Sequence, residues 1–226
     1  PFGTFTAPNI SSDQASGIGG WSKADFANAM LMGASPDGAN YYPAFPYTSY
    51  ARMTPGDVAD LFAFMKTLPA VEGQAAGHAL GFPFNIRRGL GLWKRLYLSS
   101  APVVSEPSAD VDAALFERGR YLVEGAGHCG ECHTPRNAIG GLEKARWLAG
   151  APAATGDGKI PDITPSPDAL GGWSEADIAY YLESGFTPEY DSVGGEMVPV
   201  QENMAKLTAD DRNAIAAYLK AIPAVK

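Results

Sequence analysis

Cysteine is scarce in this chain: 226 residues hold two, Cys129 and Cys132, three positions apart. That count excludes a disulfide framework as the source of the fold. Histidine is almost as scarce, limited to His78, His128 and His133, so a metal site built from several imidazoles is hard to assemble. No run of about twenty apolar residues occurs, and so no stretch reads as a membrane-spanning helix. The chain opens on Pro1-Phe2-Gly3, without the charged and apolar segments of a secretory leader. Convincing apolar–polar alternation is missing throughout, so the expected class is mainly α.

An apolar content of 46% supports a packed core. Gly 26 and Pro 18 are high for a helical protein and point to short helices joined by long, structured loops. The net charge of −8 is unevenly placed. Residues 1–108 hold seven basic and seven acidic side chains, whereas residues 109–226 hold ten and eighteen and carry the whole excess. Nucleic acid is a poor partner for such a surface. A basic protein partner suits it better, although solubility alone would also explain the charge.

A degenerate repeat runs through the chain. Gly20-Trp21-Ser22-Lys23-Ala24-Asp25-Phe26 returns as Gly172-Trp173-Ser174-Glu175-Ala176-Asp177-Ile178. Ser22 and Ser174 read as helix N-caps, each with an Asp three residues on that can close a capping box. Each helix should stop at a glycine, Gly33 or Gly185, ahead of Pro36 or Pro188. Pro8-Asn9-Ile10-Ser11 resembles Pro161-Asp162-Ile163-Thr164. Met53-Thr54 opens a helix ending near Leu68-Pro69, as Leu207-Thr208 opens one ending near Ile222-Pro223. In the latter, Ile215, Tyr218, Leu219 and Ile222 form one apolar stripe. Another amphipathic helix is expected over about 110–126, with Leu115, Phe116, Gly119, Leu122 and Val123 inward.

The expected organisation is therefore a first domain at 1–72, a linker at 73–108 and a second domain at 109–226. The linker holds Arg87, Arg88, Lys94 and Arg95, with no acidic residue between Glu72 and Glu106. It reads as a packed connector with snorkelling cations, or as a docking strip for membrane, haem propionates or a partner.

Cys129-Gly130-Glu131-Cys132-His133 is a C-x-x-C-H run, the attachment signature of c-type haem. On a helical turn, positions i, i+3 and i+4 share a face. Two thiols at i and i+3 reach the two vinyl groups along one porphyrin edge, and the imidazole at i+4 falls beneath the iron. A thioredoxin-like pair would need a βαβ context that is missing. A zinc site would need a fourth ligand and usually a second cysteine or histidine pair. Met197 and Met204 are the candidates for the sixth iron ligand. Met197 lies in Gly194-Gly195-Glu196-Met197-Val198-Pro199-Val200, expected as irregular backbone before the last helix. Met204 sits beside that helix and is expected to pack. A soft thioether favours ferrous iron and raises the reduction potential. With both axial positions filled, no site remains for oxygen or substrate, which favours electron transfer over catalysis. His128 is expected on the surface or the propionate side.

Gly119 to Asn137, Pro161 to Pro165, Gly171 to Ser174 and Gly194 to Met197, with their first-half counterparts, carry a family resemblance. The chain resembles diheme c-type cytochromes, such as the cytochrome subunits of periplasmic quinoprotein alcohol dehydrogenases. The resemblance implies two class I cytochrome c-like domains in tandem, covalent haem c, export before haem attachment, and redox partners in a periplasmic, possibly membrane-associated complex. It also implies Arg136 and Trp147 as propionate-side residues, with simple packing the alternative for Trp147.

The departures bear on the first half. Residues 1–128 contain no cysteine, so the first domain is incomplete and lacks an attachment site in this sequence. By comparison with 109–160, about fifty further residues before Pro1 would complete it. An ungapped offset of 152 places Phe45 opposite Met197, and phenylalanine cannot ligate iron. Met30, Met32 and Met53 could stand in, but helix packing accounts for each more simply. The competing functional reading is a haem enzyme, peroxidase-like or thiosulfate-oxidising, with an open first-half haem. A haem sensor or structural subunit is a third.

Overall fold

The computed structural model describes residues 2–153 and 158–225. The protein is mainly helical and divides into two compact units, Pro1–Ser100 and Ala101–Lys226. Residues 73–100, expected as part of a connector, thus belong to the first unit.

In the first unit, α1 (Lys23–Met32) starts at Ser22, whose side chain accepts from Asp25 N–H while Asp25 accepts from the Ser22 backbone. The helix ends at Gly33, where φ 57 and ψ 41 suit a residue without Cβ. A short helix α2 (Tyr47–Tyr50) and α3 (Pro55–Met65) follow, the latter capped by Thr54 with Pro55 in its first turn. Phe26 of α1 stacks on Phe62 of α3 with ring centroids 4.7 Å apart, and Ile18, Met30 and Val58 complete the small core. Met53 packs against it, but Met32 is 53% exposed, so packing does not account for that methionine. The strand β1 (Gly3–Thr4) pairs with β2 (Ala79–Leu80). The sequence signalled no helix after them, yet α4 (Leu90–Tyr97) forms there, its Lys94 donating to Gly33 O and Asn40 Oδ1.

The second unit is built on the crossing of α5 (Ala113–Tyr121) with α9 (Ala209–Ala221). Gly119 makes the crossing close: a Cβ there would lie 1.9 Å from Ala214 O and 2.7 Å from Tyr218 Cβ. Phe116, Val123, Ile215, Tyr218, Leu219 and Ile222 are buried around it, whereas Leu115, expected inward, is 37% exposed. The expected helix over 110–126 is regular only to Tyr121. Leu122–Ala126 then widen into a π turn, in which Gly127 N–H reaches Leu122 O at 2.7 Å. The short helix α6 (Gly130–His133), the pair β3 (Ala151–Pro152) and β4 (Lys159–Ile160), and α7 (Glu175–Ser184) follow. The helix α8 (Met197–Met204) then precedes α9.

Local devices recur between the units. Ser174 and Asp177 repeat the capping box of Ser22 and Asp25, and Gly185 repeats the left-handed cap of Gly33. The bridge Ala34–Asn40 has its counterpart in Phe186–Ser192. Lys66 donates to Gly19 O, as Lys220 donates to Gly171 O at 3.1 Å. Asn9 caps Ser11 N–H, and Asp162 caps Thr164 N–H, with the same two-residue turn.

Candidate haem site

The C-x-x-C-H run occupies one helical turn. Cys132 N–H and His133 N–H both donate to Cys129 O, at 3.3 and 2.9 Å, which brings the two thiols and the imidazole to one face. The turn is approached through the π turn and then His128, a non-glycine residue at φ 39. Such widened turns are frequent at functional sites. Gly130, inside the motif, is pressed against Trp147: a Cβ would lie 2.1 Å from the indole Cη2. Only glycine fits between this turn and that ring.

His133 is 9% exposed, and its Nδ1 lies 2.8 Å from Pro161 O. A carbonyl only accepts, so Nδ1 carries the proton and Nε2 keeps its lone pair. Burial is the main influence on the ring and pushes its pKa below the usual histidine value, against the Pro161 bond and the Asp162 charge. Neutral imidazole is the metal-binding form. The backbone behind it is tied down: Gly150 N–H donates to His133 O at 2.8 Å, and Leu148 N–H to Thr134 Oγ1 at 3.0 Å. Pro161 owes its place to the Asp162 turn, with Thr164 fully buried. The sequence signal for this carbonyl was the recurring Pro-Asp/Asn-Ile-Ser/Thr, which by itself carries no role.

Both cysteines are free thiols. Burial, above all, raises Cys129 to about 11. Cys132 is also raised, by burial first and then by Glu131. In redox-active C-x-x-C pairs the shift runs the other way, toward a depressed thiol pKa. Among the described residues no group of three or more His, Cys, Asp or Glu is placed to hold a metal ion. Two thiols three residues apart and one neutral imidazole presenting Nε2 are a donor set that fits haem c.

Met197 is the first residue of α8 rather than part of an irregular stretch. The glycine turn ends at Glu196, because Pro199 in the first helical turn needs no N–H partner. Glu196, next to Met197, is close enough for its charge to act on the Cys132 thiol. Met204, at the other end of α8, packs against the core of the second unit. Arg136 donates to Gly140 O at 2.9 Å and to the Glu131 carboxylate. The Trp147 indole N–H donates to Tyr218 Oη at 3.1 Å. His128 is half-buried.

A protein of Cereibacter sphaeroides named "Diheme cytochrome c-type" is 55% identical over all of this chain, which spans 74% of that relative. The chain belongs to the diheme c-type cytochrome family. Such a cytochrome is an electron carrier rather than a catalytic subunit. It is also 36% identical to the fructose dehydrogenase cytochrome subunit of Gluconobacter japonicus, over 46% of that protein. Identity reaches 38% with the cytochrome c subunit of the quinone alcohol dehydrogenase of Gluconobacter oxydans, over 48% of it. The cytochrome therefore spans about half the length of these dehydrogenase subunits. No family model matches it. No helix among the described residues is long and apolar enough to cross a membrane.

Proposed function

We propose that residues 109–226 form a one-electron relay whose haem c is bonded through Cys129 and Cys132 and ligated by His133 and Met197. The bond from His133 Nδ1 to Pro161 O carries this reading, because it leaves Nε2 as the ring nitrogen available to iron. Bound there, the haem supplies a one-electron iron couple. The protein's own groups orient the imidazole, hold it neutral and, through Met197, offer a soft ligand that raises the potential. Arg136 is the propionate-side candidate, while Trp147, buried against Gly130, packs behind the motif. The donor is a dehydrogenase and the acceptor a respiratory protein, in the periplasm and in a complex that associates with the membrane.

Residues 1–72 are the later part of another class I domain, and residues 73–100 complete the first unit around it. In α9, Tyr218 is buried against α5; its counterpart in α3, Phe64, is 60% exposed. Phe45, opposite Met197, is half-buried against the first core. A second haem in the first domain would therefore take its sixth ligand from elsewhere or leave that position open.

Met197→Ala is expected to retain covalent haem, lower the reduction potential and allow the ferrous protein to bind carbon monoxide. Met204→Ala should do none of these. If the effects are exchanged, Met204 is the ligand. Haem released by acid acetone would refute the thioether bonds.

A further inference from the structure

Glu124 is a fully buried carboxylate, 1% exposed, placed in the π turn just ahead of the haem motif. Its oxygens accept from Val103 N–H at 2.6 Å, Val104 N–H at 3.0 Å and Tyr218 Oη–H at 2.8 Å. Tyr218 Oη accepts in turn from Trp147 Nε1–H, and the Trp147 ring lies against Gly130. A continuous chain of contacts thus runs from a buried carboxylate to the turn between the two cysteines. Tyr218 also lies near enough to Cys129 for their charges to interact. Burial and the Glu124 charge push the tyrosine pKa far up, so its hydroxyl remains a donor at ordinary pH. Val103 N–H, Val104 N–H and Tyr218 Oη–H are all donors, the kind of partner that a carboxylate anion takes.

We propose that Glu124 is a positioning and potential-setting residue: through Tyr218 and Trp147 it fixes the Gly130 face of the haem turn, and its buried charge lowers the haem potential. The inference rests on the haem reading above. A negative charge in a low-dielectric interior stabilises ferric over ferrous iron, and burial strengthens that effect. The hydrogen-bond chain matters separately, because Trp147 is the wall against which the haem turn is set.

The test uses the holoprotein and its Glu124→Gln and Tyr218→Phe variants, with Trp147→Phe to assign the indole signal. Covalent haem is counted first; a wild-type protein without it refutes the cytochrome reading, independently of the variants. With haem in place, Glu124→Gln is expected to keep it and to raise the potential. The shift should approach a tenfold change in the one-electron equilibrium, about 59 mV. Tyr218→Phe should shift the Trp147 Nε1–H resonance of the reduced protein, while moving the potential less than Glu124→Gln does. A potential and an indole resonance unchanged in both variants would overturn the proposal. If Glu124→Gln does not mature, the Tyr218→Phe resonance decides: moved supports the relay, unmoved refutes it.

Discussion

Leu148 is a leucine in a conformation that suits glycine. Its φ is 60, it is fully buried, and its N–H and C=O are engaged by Thr134 Oγ1 and Ile163 N–H. A non-glycine residue in the left-handed region costs on the order of 1–2 kcal/mol. It persists because the bonds on both sides leave the backbone no alternative. Truncation to alanine should cost about 2–5 kcal/mol through the cavity and keep the backbone strain. Truncation to glycine loses the same packing but relieves the strain. Leu148→Gly is therefore expected to be at least as stable as Leu148→Ala in urea unfolding, against the usual order. A glycine variant clearly weaker than the alanine variant would show that the backbone is not strained. The sequence holds no sign of this residue's role, because nothing local distinguishes it from any apolar core position. The haem turn was legible for the opposite reason: cysteine and histidine are so rare here that their spacing had little room to be accidental.

The helices that the sequence announced were those with strong local signals. Ser22 with Asp25 and Ser174 with Asp177 form both halves of their capping boxes, and Gly33 and Gly185 close the same helices. The elements that escaped depend on distant partners. The helix at Leu90–Tyr97 is anchored by Lys94 to Gly33 and Asn40, more than fifty positions away. The π turn at Leu122–Ala126 breaks a helix whose periodicity reads as continuous. Between helices, Gly119 decides how closely α5 and α9 approach. Gly119→Ala improves helix propensity by about 1 kcal/mol, but its Cβ meets backbone at 1.9 Å. A carbonyl cannot turn aside as a side chain can, so overpacking of roughly 1–3 kcal/mol or more should win. The expected outcome is a melting temperature lower by at least a few degrees. An unchanged or higher value would mean the helices separate without cost.

At the scale of the molecule, charge is the strongest asymmetry. Residues 109–226 carry ten basic and eighteen acidic side chains, and residues 1–108 balance at seven of each. Haem propionates would add to the negative side. Electron-transfer encounters use small interfaces, and complementary charge mainly speeds their formation. Reduction by the natural donor should therefore slow as salt rises, while the screening length falls from about 30 Å at 0.01 M to about 10 Å at 0.1 M. Stopped-flow rates that stay flat across that range would assign the acidic surface to solubility alone.

The crossing of α5 and α9 also ties together segments that lie far apart in the sequence. These are the first and last helices of the second unit, and Ile215, Tyr218, Leu219 and Ile222 supply one side of its core. Pairing such distant segments raises the contact order of the unit, and folding slows as contact order rises. Without α9, Val123 and Phe116 would lose part of their packing, Glu124 its tyrosine partner, and the Trp147 indole N–H its acceptor. One helix far along the sequence is thus the keystone of the wall behind the C-x-x-C-H turn.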